Sequence, residues 1–108
     1  MGKPGYVNKK HYTMFVETVK DLKRRNEIEA AEQLLLKLVD AMEAEENVKH
    51  CGVAPWYYEQ LAIIYAKQKD VAKEFAILER YERQHKAPGP SSDKLITRIA
   101  KVRQKIIK

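Results

Sequence analysis

A single cysteine, Cys51, stands among 108 residues, which rules out an internal disulfide and favours a reducing, cytoplasmic setting. Glycine and proline number 4 each, too few for a disordered or collagen-like chain. The longest apolar runs, at 34–36 and 61–65, fall far short of the roughly 20 residues of a membrane span, so no membrane partner is expected. Met1, Gly2, Lys3, Pro4 and Gly5 lack the apolar core of a signal segment, and no export is expected. There is no glycine-rich phosphate loop. His50 and Cys51 are ligand types, but no second pair joins them at zinc-like spacing. Nor do His11, His50 and His85 sit in a context that would supply Cys51 with a base and an orienting group. The expectation is therefore no catalytic residue, no metal and no cofactor, with Cys51 a loop thiol. Glu43, Glu45 and Glu46 read as the solvated acidic end of a helix.

Charge and apolar periodicity are what the chain does have. Charged residues make up 33% and hydrophobic residues 44%, with a net charge of +6, a composition of an ordinary globular helical protein. Residues 1–25 carry seven basic and two acidic side chains, 26–50 carry two and seven, 51–92 six and five, and 93–108 six and one. The basic excess thus sits at both ends.

Residues 1–10 show no period and are expected to form a flexible N-terminal arm, followed by one helical domain over 11–108. Tyr12, Phe15, Val16, Val19 and Leu22 recur at helical spacing and predict a first helix over 11–25, with Asn26 at a tight turn. Ala31, Leu34, Leu35, Leu38, Val39 and Met42 predict a second helix from Glu27 to about Asn47, its acidic first turn matched to the helix dipole. Pro55 suits the first turn of a third helix carrying Tyr58, Leu61, Ala62 and Tyr65. Asp70 is a cap for a fourth helix with Val71, Phe75, Leu78 and Tyr81 on one side. Pro88, Gly89 and Pro90 stop it, and Ser91 or Ser92 caps a fifth helix striped by Leu95, Ile96, Ile99, Val102 and Ile106.

The pattern repeats. Displaced by 43 residues, Phe15 falls on Tyr58, Val19 on Ala62, Leu22 on Tyr65, Ile28 on Val71, Leu34 on Ile77, Leu35 on Leu78 and Leu38 on Tyr81. Such self-similarity marks stacked helical units that expose a long surface to a partner. Tyr58, Leu61, Ala62 and Tyr65, echoed by Phe15, Thr18, Val19 and Leu22 and then by Ala31 and Leu35, resemble the tetratricopeptide repeat. A HEAT-like array, whose repeats are longer than the tetratricopeptide's roughly 34 residues, fits the same spacing. The resemblance implies an all-α fold: two stacked helical hairpins, over 11–47 and 55–87, forming a right-handed solenoid, and a C-terminal capping helix over 91–107.

In that family the first helix of each hairpin lines a concave groove. The matching positions here are Thr13, Val16, Lys20, Lys23 and Arg24 in the first copy and Trp56, Glu59, Ile63, Ala66 and Lys67 in the second. The implied groove is basic with one aromatic anchor, Trp56, and suits an acidic peptide or protein. The Asn that carboxylate-clamping members use is not at these positions, which disfavours capture of a free C-terminus. Two repeats make a short core, which dimerisation or incorporation into a larger assembly would extend. Lys94, Arg98, Lys101, Arg103, Lys105 and Lys108 surround the last apolar stripe. That helix reads as a solenoid cap, and the alternative is a nucleic-acid-binding protein using its basic ends.

Overall fold

The computed structural model describes residues 4–84 and 90–107, the side chains of 90–93 and 107 excepted. Two β-strands, β1 (Tyr6–Val7) and β2 (Lys10–His11), precede a 3₁₀ turn (Tyr12–Phe15) and five α-helices. The helices are α1 (Val16–Arg24), α2 (Ile28–Lys49), α3 (Pro55–Lys67), α4 (Val71–Glu82) and α5 (Pro90–Ile107). The class is all-α apart from the small β-hairpin. Among the described residues no helix is long and apolar enough to cross a membrane. The chain divides into two compact units, Met1–His50 and Cys51–Lys108.

In the first unit, α1 and α2 form a hairpin against which the N-terminal segment packs. Ala31, Leu35, Leu38 and Val39 of α2 are wholly buried together with Val19 of α1. Each such aliphatic side chain larger than alanine contributes roughly 1.5–3 kcal/mol by leaving water. The segment expected as a flexible arm contributes β1 and the start of β2; residues 1–3 lie outside the described residues. Tyr6 faces His11 and Val7 faces Lys10. Asn8 and Lys9 both have positive φ, 49° and 70°, the signature of a tight two-residue hairpin turn that matches strand twist. The Tyr12 amide donates to the Gly5 carbonyl at 2.8 Å and closes the loop. Gly5 has φ +89°, and a Cβ there would lie 2.5 Å from Glu45 Oε2, so the backbone approaches α2 as only glycine permits. The first helix is also shorter than its periodicity predicts, because 12–15 wind as a 3₁₀ turn, which satisfies the same i, i+3 spacing.

The second unit is a hairpin of α3 and α4 with α5 packed on both. Pro55 opens α3, as expected, and Asp70 caps α4, its Oδ1 accepting from the Lys73 amide at 3.1 Å. Tyr58 and Tyr81, both fully buried, meet at 5.1 Å between ring centroids. The α4 stripe is rotated from expectation: Glu74, Ile77, Leu78 and Tyr81 are buried, Phe75 is half-buried and Val71 is exposed. Glu74 can turn inward because Arg98 of α5 neutralises it. On α5, Leu95, Ile99 and Val102 are buried, whereas Ile96 and Ile106 are exposed, Ile96 because it lies one residue round from the stripe and Ile106 in the final turn. Helix α5 starts at Pro90, one residue before the expected boundary. The predicted stop at Pro88 and Gly89 lies outside the described residues, as do the side chains of Ser91 and Ser92.

The 43-residue period is written into the backbone of both turns. After α1 the amides of Asn26 and Glu27 donate to the carbonyls of Lys23 and Leu22. After α3 the amides of Lys69 and Asp70 donate to those of Ala66 and Tyr65, the same bonds one period on. Asn26 and Lys69 take the left-handed conformation at φ 61° and 58°. Each hairpin therefore turns through a Schellman motif, in which a left-handed residue lets the chain satisfy the last carbonyls of one helix before starting the next.

Candidate binding surfaces

Of the positions expected to line a groove in the first hairpin, Thr13 lies in the 3₁₀ turn, Val16 opens α1, and Lys20, Lys23 and Arg24 occupy its last two turns. Lys20 is exposed and pairs with Glu17 at 3.5 Å, Lys23 is half-buried and Arg24 is exposed. Spacing of i, i+3 and i+4 puts the three cations on one side of the helix. Those of the second copy run along one flank of α3 at Trp56, Glu59, Ile63 and Lys67, the first three half-buried and the last exposed. Trp56 packs edge-on against Tyr57 at 5.0 Å, and Tyr57 is 3% exposed. The indole is held in place by a buried neighbour while part of it stays open.

The five basic residues of α5 do not form one group. Lys94, Arg98, Lys101 and Lys105 recur every three or four residues and line one concavity of about 300 Å³ together with Glu74, Thr97 and Val102. Arg103 points to the opposite flank, where it pairs with Glu82. Glu74 is the one carboxylate in that lining, 4% exposed, and its Oε2 accepts from Arg98 Nε at 3.2 Å. Among the described residues no ion pair involves Lys94, Lys101 or Lys105, and all three are exposed.

Sequence reasoning missed a polar cluster in the first unit. Glu45 and Glu46, read as solvated, are each 5% exposed. His11 caps the 3₁₀ turn, its Nδ1 accepting from the Thr13 amide at 3.4 Å and lying 2.8 Å from the Thr13 hydroxyl. With Nδ1 accepting, the proton resides on Nε2, which donates to Glu45 Oε2 at 2.8 Å. Lys49 Nζ approaches the same oxygen at 3.5 Å. The partners lie 34 residues apart, beyond any local pattern.

Cys51 is exposed, as a loop thiol should be. Among the described residues no three His, Cys, Asp or Glu side chains gather closely enough to hold a metal ion. Comparison with protein-family models, with curated proteins and with solved structures gives no match to this chain.

Proposed function

We propose that the chain is a non-enzymatic protein-interaction module of tetratricopeptide-like, solenoid type, and that its partner is an acidic peptide or protein anchored on Trp56. The observation that carries this reading is the state of Trp56: half-buried, braced edge-on by the buried Tyr57, and followed along the same flank of α3 by Ile63 and Lys67. A braced aromatic, with an aliphatic and a cationic residue about 10 and 16 Å further along the same helix, has the character of an interface hot spot, where large rings lose little entropy on binding. The cations Lys20, Lys23 and Arg24 add a second positive surface. Electrostatics of that sign select acidic partners and speed encounter. Recurrence of the same hairpin turn after 43 residues supports the repeat character. A reducing, cytoplasmic setting suits the exposed thiol of Cys51.

The test is affinity capture from a native lysate with mass-spectrometric identification, run in parallel with Trp56→Ala and with the double charge reversal Lys20→Glu, Lys23→Glu. A protein partner held by the parent chain should be lost at least about tenfold with Trp56→Ala, the loss typical of a hot-spot residue. Helical circular dichroism should be unchanged in both variants. Retention of the partner by Trp56→Ala would remove α3 from the binding surface.

A further inference from the structure

The concavity on α5 points to a second binding surface with a different kind of partner. We infer that Lys94, Arg98, Lys101 and Lys105 form a sequence-independent contact site for the phosphate backbone of a nucleic acid. This goes beyond the protein-interaction reading and uses none of its residues.

The argument starts from geometry. The four cations fall on one flank of α5 while Leu95, Ile99 and Val102 bury the adjoining face, so packing of the apolar stripe fixes where the charges project. From Lys94 to Lys105 the helix rises about 16 Å. One nucleic-acid strand places about five phosphates along that length at its 3.4 Å axial spacing. Four cations face a single carboxylate, and Glu74 is already taken by Arg98. Arg98 is thereby held in place, while Lys94, Lys101 and Lys105 carry charge that no described carboxylate offsets.

Chemistry separates a phosphate backbone from an acidic protein. Protein interfaces concentrate aromatic residues, Met and Arg in their buried core and are depleted in Lys. The lining here is three lysines, one arginine, a threonine, a carboxylate and the buried Val102, with no aromatic or methionine. Lysine serves phosphate well as a compact point charge, and a threonine hydroxyl is a usual donor to phosphate oxygen. Contacts from these side chains to phosphate oxygens fix position and carry no sequence information, so the site supplies affinity without sequence preference.

The experiment uses the full chain and fluorescence anisotropy with a labelled mixed-sequence oligonucleotide, single-stranded and duplex, between about 50 and 200 mM salt. The expected Kd lies on the order of 10⁻⁴ to 10⁻⁶ M and weakens steeply with salt. Substituting Lys94, Lys101 and Lys105 by Gln together leaves the Arg98–Glu74 pair intact, so the fold should survive, as circular dichroism would verify. That triple variant should reduce the magnitude of the log–log salt slope by about 2.7 on duplex and about 2.1 on single strand. Arg103→Gln, on the other flank, should leave the slope unchanged. The proposal is overturned if the parent chain fails to bind at the lowest salt, or if the triple variant keeps the parent slope. It is equally overturned if Arg103→Gln lowers the slope as a contact residue would, or if polyglutamate of equal charge competes as well as unlabelled oligonucleotide. Trp56→Ala should not alter oligonucleotide binding, which keeps this outcome separate from the fate of the protein-interaction reading.

Discussion

His11 does three things at once in the first unit. It ends β2, caps the 3₁₀ turn through Nδ1, and donates a hydrogen bond from Nε2–H to the buried Glu45. A carboxylate this far from water needs partners for its oxygens, and Lys49, with most of its side chain in solvent, is the weaker of the two at 3.5 Å. His11→Ala should therefore cost about 1–3 kcal/mol, the penalty for leaving a buried polar group without its bond. In urea the midpoint should fall with the m-value unchanged. Adding Glu45→Met to that variant should recover much of the loss, because removing both partners of a buried bond is far cheaper than removing one. A neutral His11→Ala would mean that the imidazole does not anchor the hairpin. Nothing in the local sequence announces this pair. Glu45 sits in a run with Glu43 and Glu46 that has the look of a solvated helix end, and what turns it inward is a residue 34 positions upstream.

At the scale of the element, the two hairpin turns obey the same hydrogen-bond pattern with different residues at the left-handed position. Asn26 is a residue that tolerates φ near +60°, and the tight turn there is readable from its type alone. Lys69 has no such tolerance, yet holds φ 58°. An L-residue in this conformation is strained by roughly 1–2 kcal/mol, and glycine relieves that strain at the expense of a floppier unfolded chain. Lys69→Gly should thus stabilise the protein by a net of about 0.5–1 kcal/mol. Thermal unfolding should show the melting temperature rising by a few degrees. A fall instead would show that the Lys69 side chain contributes more than its backbone costs. Its turn was invisible by residue type and readable only by displacing the chain 43 residues onto Asn26. Strands of two residues leave no alternating run, which is why β1 and β2 escaped the same reading. On α5 the periodicity located the helix and its buried Leu95, Ile99 and Val102, but a list of basic residues could not say that Arg103 faces Glu82 rather than its four neighbours in charge.

For the whole molecule, each of the two units holds its own core on about half of the chain. Domains of that size bury a smaller fraction of their surface than larger ones do and are correspondingly marginal, so one core residue is a large share of a unit's stability. Leu35 and Leu78 fall on each other when the chain is displaced by 43 residues, and both are fully buried. Truncation of either to Ala should cost about 2–5 kcal/mol through lost burial and the cavity left behind. Against a stability of roughly 0.05–0.15 kcal/mol per residue, that is enough to open most of one unit. Amide hydrogen exchange should register this directly. Leu35→Ala should strip protection from α1 and α2, and Leu78→Ala should strip it from α3, α4 and α5, since those are the helices each side chain's unit contains. If Leu35→Ala left α2 protected, the equivalence drawn from the displaced pattern would hold for the backbone turns but not for the energetics beneath them.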